Sequence, residues 1–182
     1  PALDLPQAVA QVAAQGAWSV LIRALPNGKV REAVVGLGTP AVPHLIQALG
    51  DSDRDVRCAV CEALGAIGDL QAVPALIKAL GDSDWNVRRA AAKALVKIGT
   101  PAVPALIQAL GDRDWDVRRA VCEALGAIGD PKAVPALIQA LGDSDRNVRC
   151  AVCEALGAIG DPQAVPALIQ ALGDWYVRRV AA

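Results

Sequence analysis

The sequence predicts an all-α protein, an α-solenoid with a right-handed superhelix made of about five to six two-helix repeats. The first observation is the recurring Val-Pro dipeptide, whose prolines are 31, 30, 31 and 31 positions apart at Pro43, Pro74, Pro104, Pro135 and Pro166. The second is a recurring Val-Arg dipeptide, which keeps nearly the same spacing. The third is the apolar composition, rich in Ala and Leu and without Phe or Met, because Ala and Leu are strong helix formers. A fixed period near 30 residues is typical of stacked helical repeats.

Composition and charge exclude several classes of protein. A hydrophobic fraction of 54% is too high for a disordered chain. Lys and Arg total 18 against 19 Asp and Glu, a balance that disfavours nucleic-acid binding. Charges interrupt every apolar run, so we expect no membrane span, and the first 15 residues lack a signal-peptide pattern. An odd number of cysteines, five, on helical patterns favours reduced thiols and a cytoplasmic location.

Each repeat predicts two helices. In the second helix, Asp53 is a good N-cap residue, an apolar face of helical period follows from Val56 to Ile67, and Gly68 suits the left-handed position that ends a helix. Asp69 then caps the next first helix. The Val-Pro proline should remove one backbone hydrogen bond and kink that first helix, so we expect a bent or two-part first helix that ends near Leu49 and its equivalents.

The repeats predict one domain over residues 1–182. Residues 1–38 form a degenerate N-terminal cap and first repeat, residues 39–172 the regular repeats, and residues 173–182 a truncated C-terminal helix. We expect a break near Gly16 in the cap and a shortened second helix between Val30 and Gly38. Residues 50–80 and 142–172 differ at only three positions, which indicates recent duplication or deliberate construction and leaves both open.

Three recurring strings, AVPALIQALGD, DWDVRRA and EALGAIGD, resemble the HEAT-like repeats named after the phycobilisome lyases. They are similar also to the consensus of artificial HEAT-like repeat scaffolds. The resemblance implies a binding function through a concave face formed by the second helices. One family activity, deoxyhypusine hydroxylation, needs His-Glu pairs as iron ligands and is excluded by the single histidine, His44, which precedes Leu45.

A recurring arginine follows the valine near the start of each second helix, where the helix dipole disfavours a cation. We expect the loop aspartate six residues earlier to compensate it, and in the resembled family such residues form a ladder between repeats. The alternative is a row of arginines that binds a ligand. The ladder residues are Asp51, Arg57, Asp82, Arg88, Asp112, Arg118, Asp143 and Arg149.

The second-helix face opposite the apolar stripe is where nearly identical repeats differ, mainly by exchanges of Trp with Arg and of Arg with Cys. Trp and Arg are enriched at binding hot spots. The alternative is that each Trp packs on a neighbouring arginine and only covers the loop. The predicted partner-binding residues are Arg54, Cys58, Glu62, Trp85, Arg89, Lys93, Trp115, Arg119, Glu123, Arg146, Cys150, Glu154, Trp175 and Arg179.

The remaining residues predict no chemistry. The pairs Cys58/Cys61 and Cys150/Cys153 lie three repeats apart and lack a histidine, so we expect no metal site and no cofactor. Gly65, Gly126 and Gly157 interrupt helices and favour close approach of a neighbouring element. His44 replaces a recurring alanine and is interpreted as surface variation.

The sequence therefore predicts a non-catalytic scaffold that binds a protein partner as a monomer or weak homodimer. The first alternative is an accessory subunit of a bilin lyase, in which the repeats hold a chromophore or its carrier protein. The second is a nucleic-acid-binding protein that uses Trp85, Arg89, Lys93, Trp115 and Arg119. Mixed charge on that face, with Glu62 and Glu123 near the arginines, argues against the second.

Overall fold

The computed structural model describes residues 4–171, and within that range every regular element is helical. The all-α prediction is confirmed. The chain divides into two compact units, Pro1–Ala102 and Val103–Ala182, which we call unit 1 and unit 2. The predicted single domain over residues 1–182 stays a prediction.

Unit 1 begins with three shorter helices and continues with two repeats. The helices are α1 (Leu5–Ala14), α2 (Trp18–Ala24), α3 (Gly28–Val35), α4 (Val42–Ala48), α5 (Arg54–Ile67), α6 (Val73–Ala79) and α7 (Trp85–Ile98). The predicted break in the cap is confirmed, because Gly16 lies between α1 and α2 with a φ of 74°. The second helix of the first repeat, α3, is shortened as predicted, with 8 residues against 14 in α5.

Unit 2 repeats the same pattern. Its helices are α8 (Val103–Ala109), α9 (Trp115–Ile128), α10 (Val134–Ala140) and α11 (Arg146–Ile159), and residues 165–171 are helical as well. The predicted truncated helix at residues 173–182 lies outside the described residues.

The helix boundaries follow from local sequence. Asp53, Asp84, Asp114 and Asp145 cap the four long second helices. The Asp53 side chain accepts a hydrogen bond from the Asp55 N–H, and Gly68 ends α5 with a φ of 76°, as predicted. The chain can then turn directly into the next repeat.

The first helices differ in one detail from the prediction. Each is in two parts, as expected: a short 3₁₀ turn such as Leu70–Ala72 precedes the α-helix. Pro74 and its equivalents lie in the first turn of that α-helix, where a backbone N–H has no intrahelical partner. The expected loss of a hydrogen bond was therefore wrong, and the proline fits without cost.

The core of each unit is built from Ala, Val and Leu. Among the described residues no polar or charged side chain is buried. In unit 1 α5 packs against α7, and in unit 2 α9 packs against α11. The expected close approach at glycine is confirmed twice, since a Cβ at Gly65 would lie 2.7 Å from the Ala94 Cα and one at Gly126 would lie 2.8 Å from the Ala155 Cα. At Gly157 the expected close approach is not found, because no atom of the described residues lies within 4 Å of such a Cβ.

Within residues 4–171, no single helix combines the length and the apolar character that a membrane span requires. One pair of consecutive segments, Trp85–Ile98 and Thr100–Ala109, meets these criteria together, by length and composition only.

Candidate partner-binding face

The N-cap aspartates fix the residue that opens each long second helix. The cap carboxylate accepts from the backbone N–H two positions later, at 2.8 Å for Asp53 and 2.8 Å for Asp84. The preceding loop aspartate does the same for the cap itself, since the Asp53 N–H donates to Asp51 at 2.8 Å. These paired turns hold the first helical residue on a defined backbone. Those first residues are Arg54, Trp85, Trp115 and Arg146.

The ladder arginines make two kinds of contact. In unit 1 Arg57 donates from Nε and Nη2 to both carboxylate oxygens of Asp82, each at 2.9 Å. Its Nη1 donates to the backbone carbonyl of Asp51 at 2.8 Å. In unit 2 Arg118 pairs with Asp143 at 2.8 and 2.9 Å. The expected partner was therefore only half right: the residue six positions earlier offers its carbonyl, and the carboxylate comes from the following repeat.

Arg88 and Arg149 make the carbonyl contacts as well. Arg88 Nη1 donates to the Asp82 carbonyl at 2.7 Å, and Arg149 Nη1 donates to the Asp143 carbonyl at 2.7 Å. These bonds place each guanidinium under its own loop. The loop carbonyls thus offset the unfavourable helix dipole at this position.

The pKa values of the ladder residues reflect the ion pairs between arginine and aspartate. The Arg118 guanidinium donates to Asp143 and lowers the pKa of that carboxyl, against an opposing effect of burial. Burial is the largest influence on Asp82, but the hydrogen bonds from Arg57 and from the Asp84 N–H outweigh it, so the pKa of Asp82 is also lowered. The pKa of Arg57 is raised by its bond to Asp82. These ions are structural partners of each other and leave no free charge for a ligand.

The exposed tryptophans occupy the predicted face. Trp85 is 58% exposed and Trp115 is 40% exposed, although both are large apolar side chains. The guanidinium carbon of Arg89 lies 4.8 Å from the centroid of the Trp85 ring, within cation–π range. Arg89 therefore covers part of one ring and leaves more than half of the Trp85 side chain open to solvent.

On α5 the charges are paired within unit 1. Arg54 approaches Asp84 at 3.4 Å and Asp55 at 3.7 Å. Glu62 pairs with Arg31 of α3 at 3.2 Å. Cys58 lies between them on the sequence and is half-buried.

On α7 the charged residues of the face are not paired in this way. Lys93 is exposed, and so is Lys97 one turn later, a residue outside the predicted partner-binding set. Arg89, Lys93 and Lys97 make no ion pair among the described residues of unit 1. The signal that was missed is the spacing of four residues that continues from Lys93 to the end of the helix.

In unit 2 the face carries Trp115, Arg119 and Glu123 on α9. Arg119 is bound by its own helix, to Asp116 at 3.3 Å and to Glu123 one turn later. On α11, Arg146, Cys150 and Glu154 are all exposed. Trp175 and Arg179, also predicted for this face, lie outside the described residues.

The thiols form no metal site with other ligands within residues 4–171. Burial raises the pKa of Cys61 to about 12 and that of Cys122 to about 12. Burial also raises the pKa of Cys58 and Cys153. Raised values keep a thiol protonated and unreactive at neutral pH.

His44 has a partner that the sequence did not indicate. Its ring stacks on Trp18 of α2, with centroids 4.3 Å apart and planes 12° from parallel. The interpretation as surface variation was wrong, because this contact joins the N-terminal cap to α4. A shallow groove of about 390 Å³ lies beside the pair, and another of about 700 Å³ is lined by α1 and α3. Neither groove includes any of the predicted partner-binding residues.

Comparison with known proteins gives a family and several similar folds. Residues 42–111 and 103–182 match the family of HEAT repeats. No curated protein sequence matches this chain significantly. Among solved structures, the complex of CpcE and CpcF of phycocyanin lyase from Nostoc sp. PCC7120 is 26% identical, with a TM-score of 0.50 over 77% of this chain and 98% of that chain.

Two further structures share the fold. The TOG domain array of crescerin, described as regulating microtubules in the primary cilium, is 18% identical, with a TM-score of 0.62 over 91% of this chain and 81% of that chain. An engineered protein from the Northeast Structural Genomics Consortium is 22% identical, with a TM-score of 0.50 over 98% of this chain and 89% of that chain. These two likenesses concern the fold alone.

Proposed function

This chain belongs to the HEAT repeat family, and we propose that it is a non-catalytic scaffold that binds a protein partner through the exposed face of its second helices. The residues of this face are those that open and line α5, α7, α9 and α11. We infer a monomer or weak homodimer, with a cytoplasmic location that suits its free thiols.

One observation carries the proposal: Trp85 and Trp115 are exposed at the first position of two equivalent helices. Stability does not require a tryptophan there, since the equivalent residue is Arg54 in α5 and Arg146 in α11. Tryptophan is one of the residue types enriched among binding hot spots. Rigid aromatic groups held by capped helix starts are suited to fill a partner's pockets.

The thiols and the single histidine favour binding over catalysis. A nucleophilic cysteine needs a lowered pKa, whereas burial raises the pKa of Cys61 and Cys122 to about 12. The His44 ring is stacked on Trp18. Neither feature supplies an activated nucleophile next to a base.

The test is affinity capture with quantitative mass spectrometry, using the full chain and a Trp85→Ala/Trp115→Ala double variant. We expect at least one protein that the intact chain retains and the double variant loses. With that partner purified, each single substitution should cost about 2 kcal/mol of binding free energy.

Leu70→Ala is the matched control. Leu70 is 52% exposed, similar to Trp85, but it precedes α6 and is outside the proposed face. If the Leu70→Ala and tryptophan variants lose the same proteins, capture reflects general apolar adhesion. That result, or full retention by the tryptophan variants, would refute the proposed face.

A second candidate function is that of an accessory subunit of a bilin lyase. Its support is the likeness to the CpcE–CpcF complex, which extends over 98% of that chain. The discriminating measurement is the absorbance spectrum of a free bilin titrated with this protein. A spectral shift that saturates with protein concentration would favour the lyase-type function over the scaffold.

A further inference from the structure

The helix α7 differs in charge from the other long second helices. Three of them carry a glutamate at the ninth position, Glu62 in α5, Glu123 in α9 and Glu154 in α11. At that position α7 has Lys93, and its segment Trp85–Ile98 contains no acidic residue. The difference is a charge reversal at one point of an otherwise repeated surface.

The exposed residues of α7 form one continuous row. Trp85, Arg89, Lys93 and Lys97 recur every four residues and are all exposed; we call them the α7 stripe. Elsewhere in unit 1 the face charges are paired, since Glu62 is bound by Arg31 and Arg54 by Asp84. Within unit 1 the three cations of the stripe have no carboxylate partner.

Helix stability accounts for only part of this pattern. Lys97 lies in the last turn, where a cation interacts favourably with the helix dipole. Lys93 and Arg89 lie one and two turns earlier, where that interaction has faded. Their repulsion along the helix is a small cost that no ion pair within unit 1 offsets.

On the basis of the proposed function, we propose that the α7 stripe binds an acidic peptide segment of the protein partner. Residues four apart on a helix are separated by about 6 Å along its axis. Alternate side chains of an extended peptide lie on one side about 6.6 Å apart. A segment with a carboxylate at every second residue therefore matches Arg89, Lys93 and Lys97, and an adjoining apolar side chain meets the exposed ring of Trp85.

A nucleic acid fits the same stripe less well. Three cations neutralise at most about three phosphates, which gives weak and strongly salt-dependent binding. The neighbouring helix α5 exposes Asp55 and Glu62 on the same face. Arg31 and Arg54 already pair with these carboxylates, so within unit 1 the helix α5 offers no free cation that would extend the stripe along a phosphate backbone.

The test is fluorescence anisotropy with the full chain and a labelled peptide of about eight residues that alternates glutamate and alanine and ends in phenylalanine, long enough to follow the stripe. The comparison probes are the same peptide with glutamine for glutamate, and a single-stranded DNA of similar length. We expect the glutamate peptide to bind more tightly than either, and added salt to weaken it, because exposed charges are screened.

The decisive variant is Lys93→Glu/Lys97→Glu. Glutamate at the Lys93 position is the residue of the three equivalent helices, so the fold should accept it, and Lys93→Gln/Lys97→Gln is a second, milder variant. Lys29→Glu/Lys78→Glu is the matched control, because it makes the same change in net charge at exposed lysines of α3 and α6. We expect roughly tenfold weaker peptide binding in the stripe variant, and less than about twofold in the control.

Several results would overturn the inference. They are equal losses in both glutamate variants, equal binding of the glutamine peptide, tighter binding of the DNA, or no measurable binding of the glutamate peptide. The captured partner separates this inference from the proposed function. A partner that is lost by the tryptophan variants but retained by Lys93→Glu/Lys97→Glu refutes the acidic-peptide inference alone, whereas one retained by both sets refutes the proposed function.

Discussion

The arginine of the repeated Val-Arg dipeptide shows how one residue joins two repeats. In unit 1 Arg57 contacts its own loop through backbone carbonyls and the next loop through the Asp82 carboxylate. Both side chains are largely buried, with 12% of Arg57 and 13% of Asp82 exposed. A bidentate pair with little solvent access loses little to screening, so it fixes the register of neighbouring loops.

Arg57→Ala should lower the free energy of unfolding by about 2 kcal/mol, because it leaves Asp82 partly buried without its charged donor. Arg54→Ala is the control. Its pair with Asp84 is exposed, with 62% of the Arg54 side chain open to solvent, and such pairs contribute about 0–1 kcal/mol. Urea unfolding of both variants gives the comparison, and equal losses would contradict the structural role of Arg57.

Acid should weaken the same pairs. The pKa of Asp82 and that of Asp143 are lowered in the folded protein. Their stabilisation is complete above the unfolded-state value of about 3.9 and is lost as pH falls through the lower folded-state pKa. The difference in unfolding free energy between the unsubstituted chain and Asp82→Asn should therefore be largest near neutral pH and shrink below about pH 4. A difference that is constant over this range would contradict the lowered pKa.

At the scale of single helices, glycines at equivalent positions of two long second helices have different surroundings. Gly65 of α5 faces the backbone of Ala94, where an added Cβ would lie 2.7 Å from the Ala94 Cα. Around Gly157 of α11, no atom of residues 4–171 lies within 4 Å of such a Cβ. Both occupy the same position of the repeat. The same substitution should therefore have opposite signs at the two sites.

Gly65→Ala should destabilise the protein by about 1–3 kcal/mol, because α5 and α7 must separate to admit the methyl group. Gly157→Ala should stabilise it by about 0.5–1 kcal/mol, because alanine restricts the unfolded chain and favours the helix. Thermal unfolding of the two single variants tests this. A Gly65→Ala variant as stable as the unsubstituted chain would show that the helices are not held at this distance.

Local signals predicted most of the elements. As expected, α5 begins after the N-cap Asp53 and ends at Gly68, since an N-cap and a left-handed C′ residue act over one turn of sequence. The position of the Val-Pro proline in the first helix was predicted correctly, but the predicted loss of a backbone hydrogen bond was wrong. The 3₁₀ turn that precedes α6 makes Pro74 part of the first α-helical turn, and this depends on hydrogen bonding that sequence periodicity does not specify.

For the molecule as a whole, contacts between repeats were the least predictable. The Arg57–Asp82 pair spans 25 residues and the Trp18–His44 stack joins α2 to α4. Both depend on how far one repeat is displaced from the next when their apolar faces pack, which spacing along the chain does not give. The exposed positions of Trp85 and Trp115 were predictable, because they lie opposite a regular apolar stripe.

The repeat period predicts that the chain tolerates loss of one whole repeat. Deleting residues 81–110 joins Leu80 to Gly111 and recreates the Leu-Gly-Asp junction of the intact protein. Because repeats contact chiefly their neighbours, the shortened chain should remain helical and unfold cooperatively, with a smaller dependence on denaturant in proportion to the surface lost. Circular dichroism with urea unfolding measures both.

Deleting residues 81–95 is the matched control: it removes about half a repeat, joins Leu80 to Val96, and leaves the rest of α7 without its cap and out of phase with the apolar face of α5. Full helicity and unchanged cooperativity in that control, or loss of both in the whole-repeat deletion, would show that the repeat is not the unit of stability.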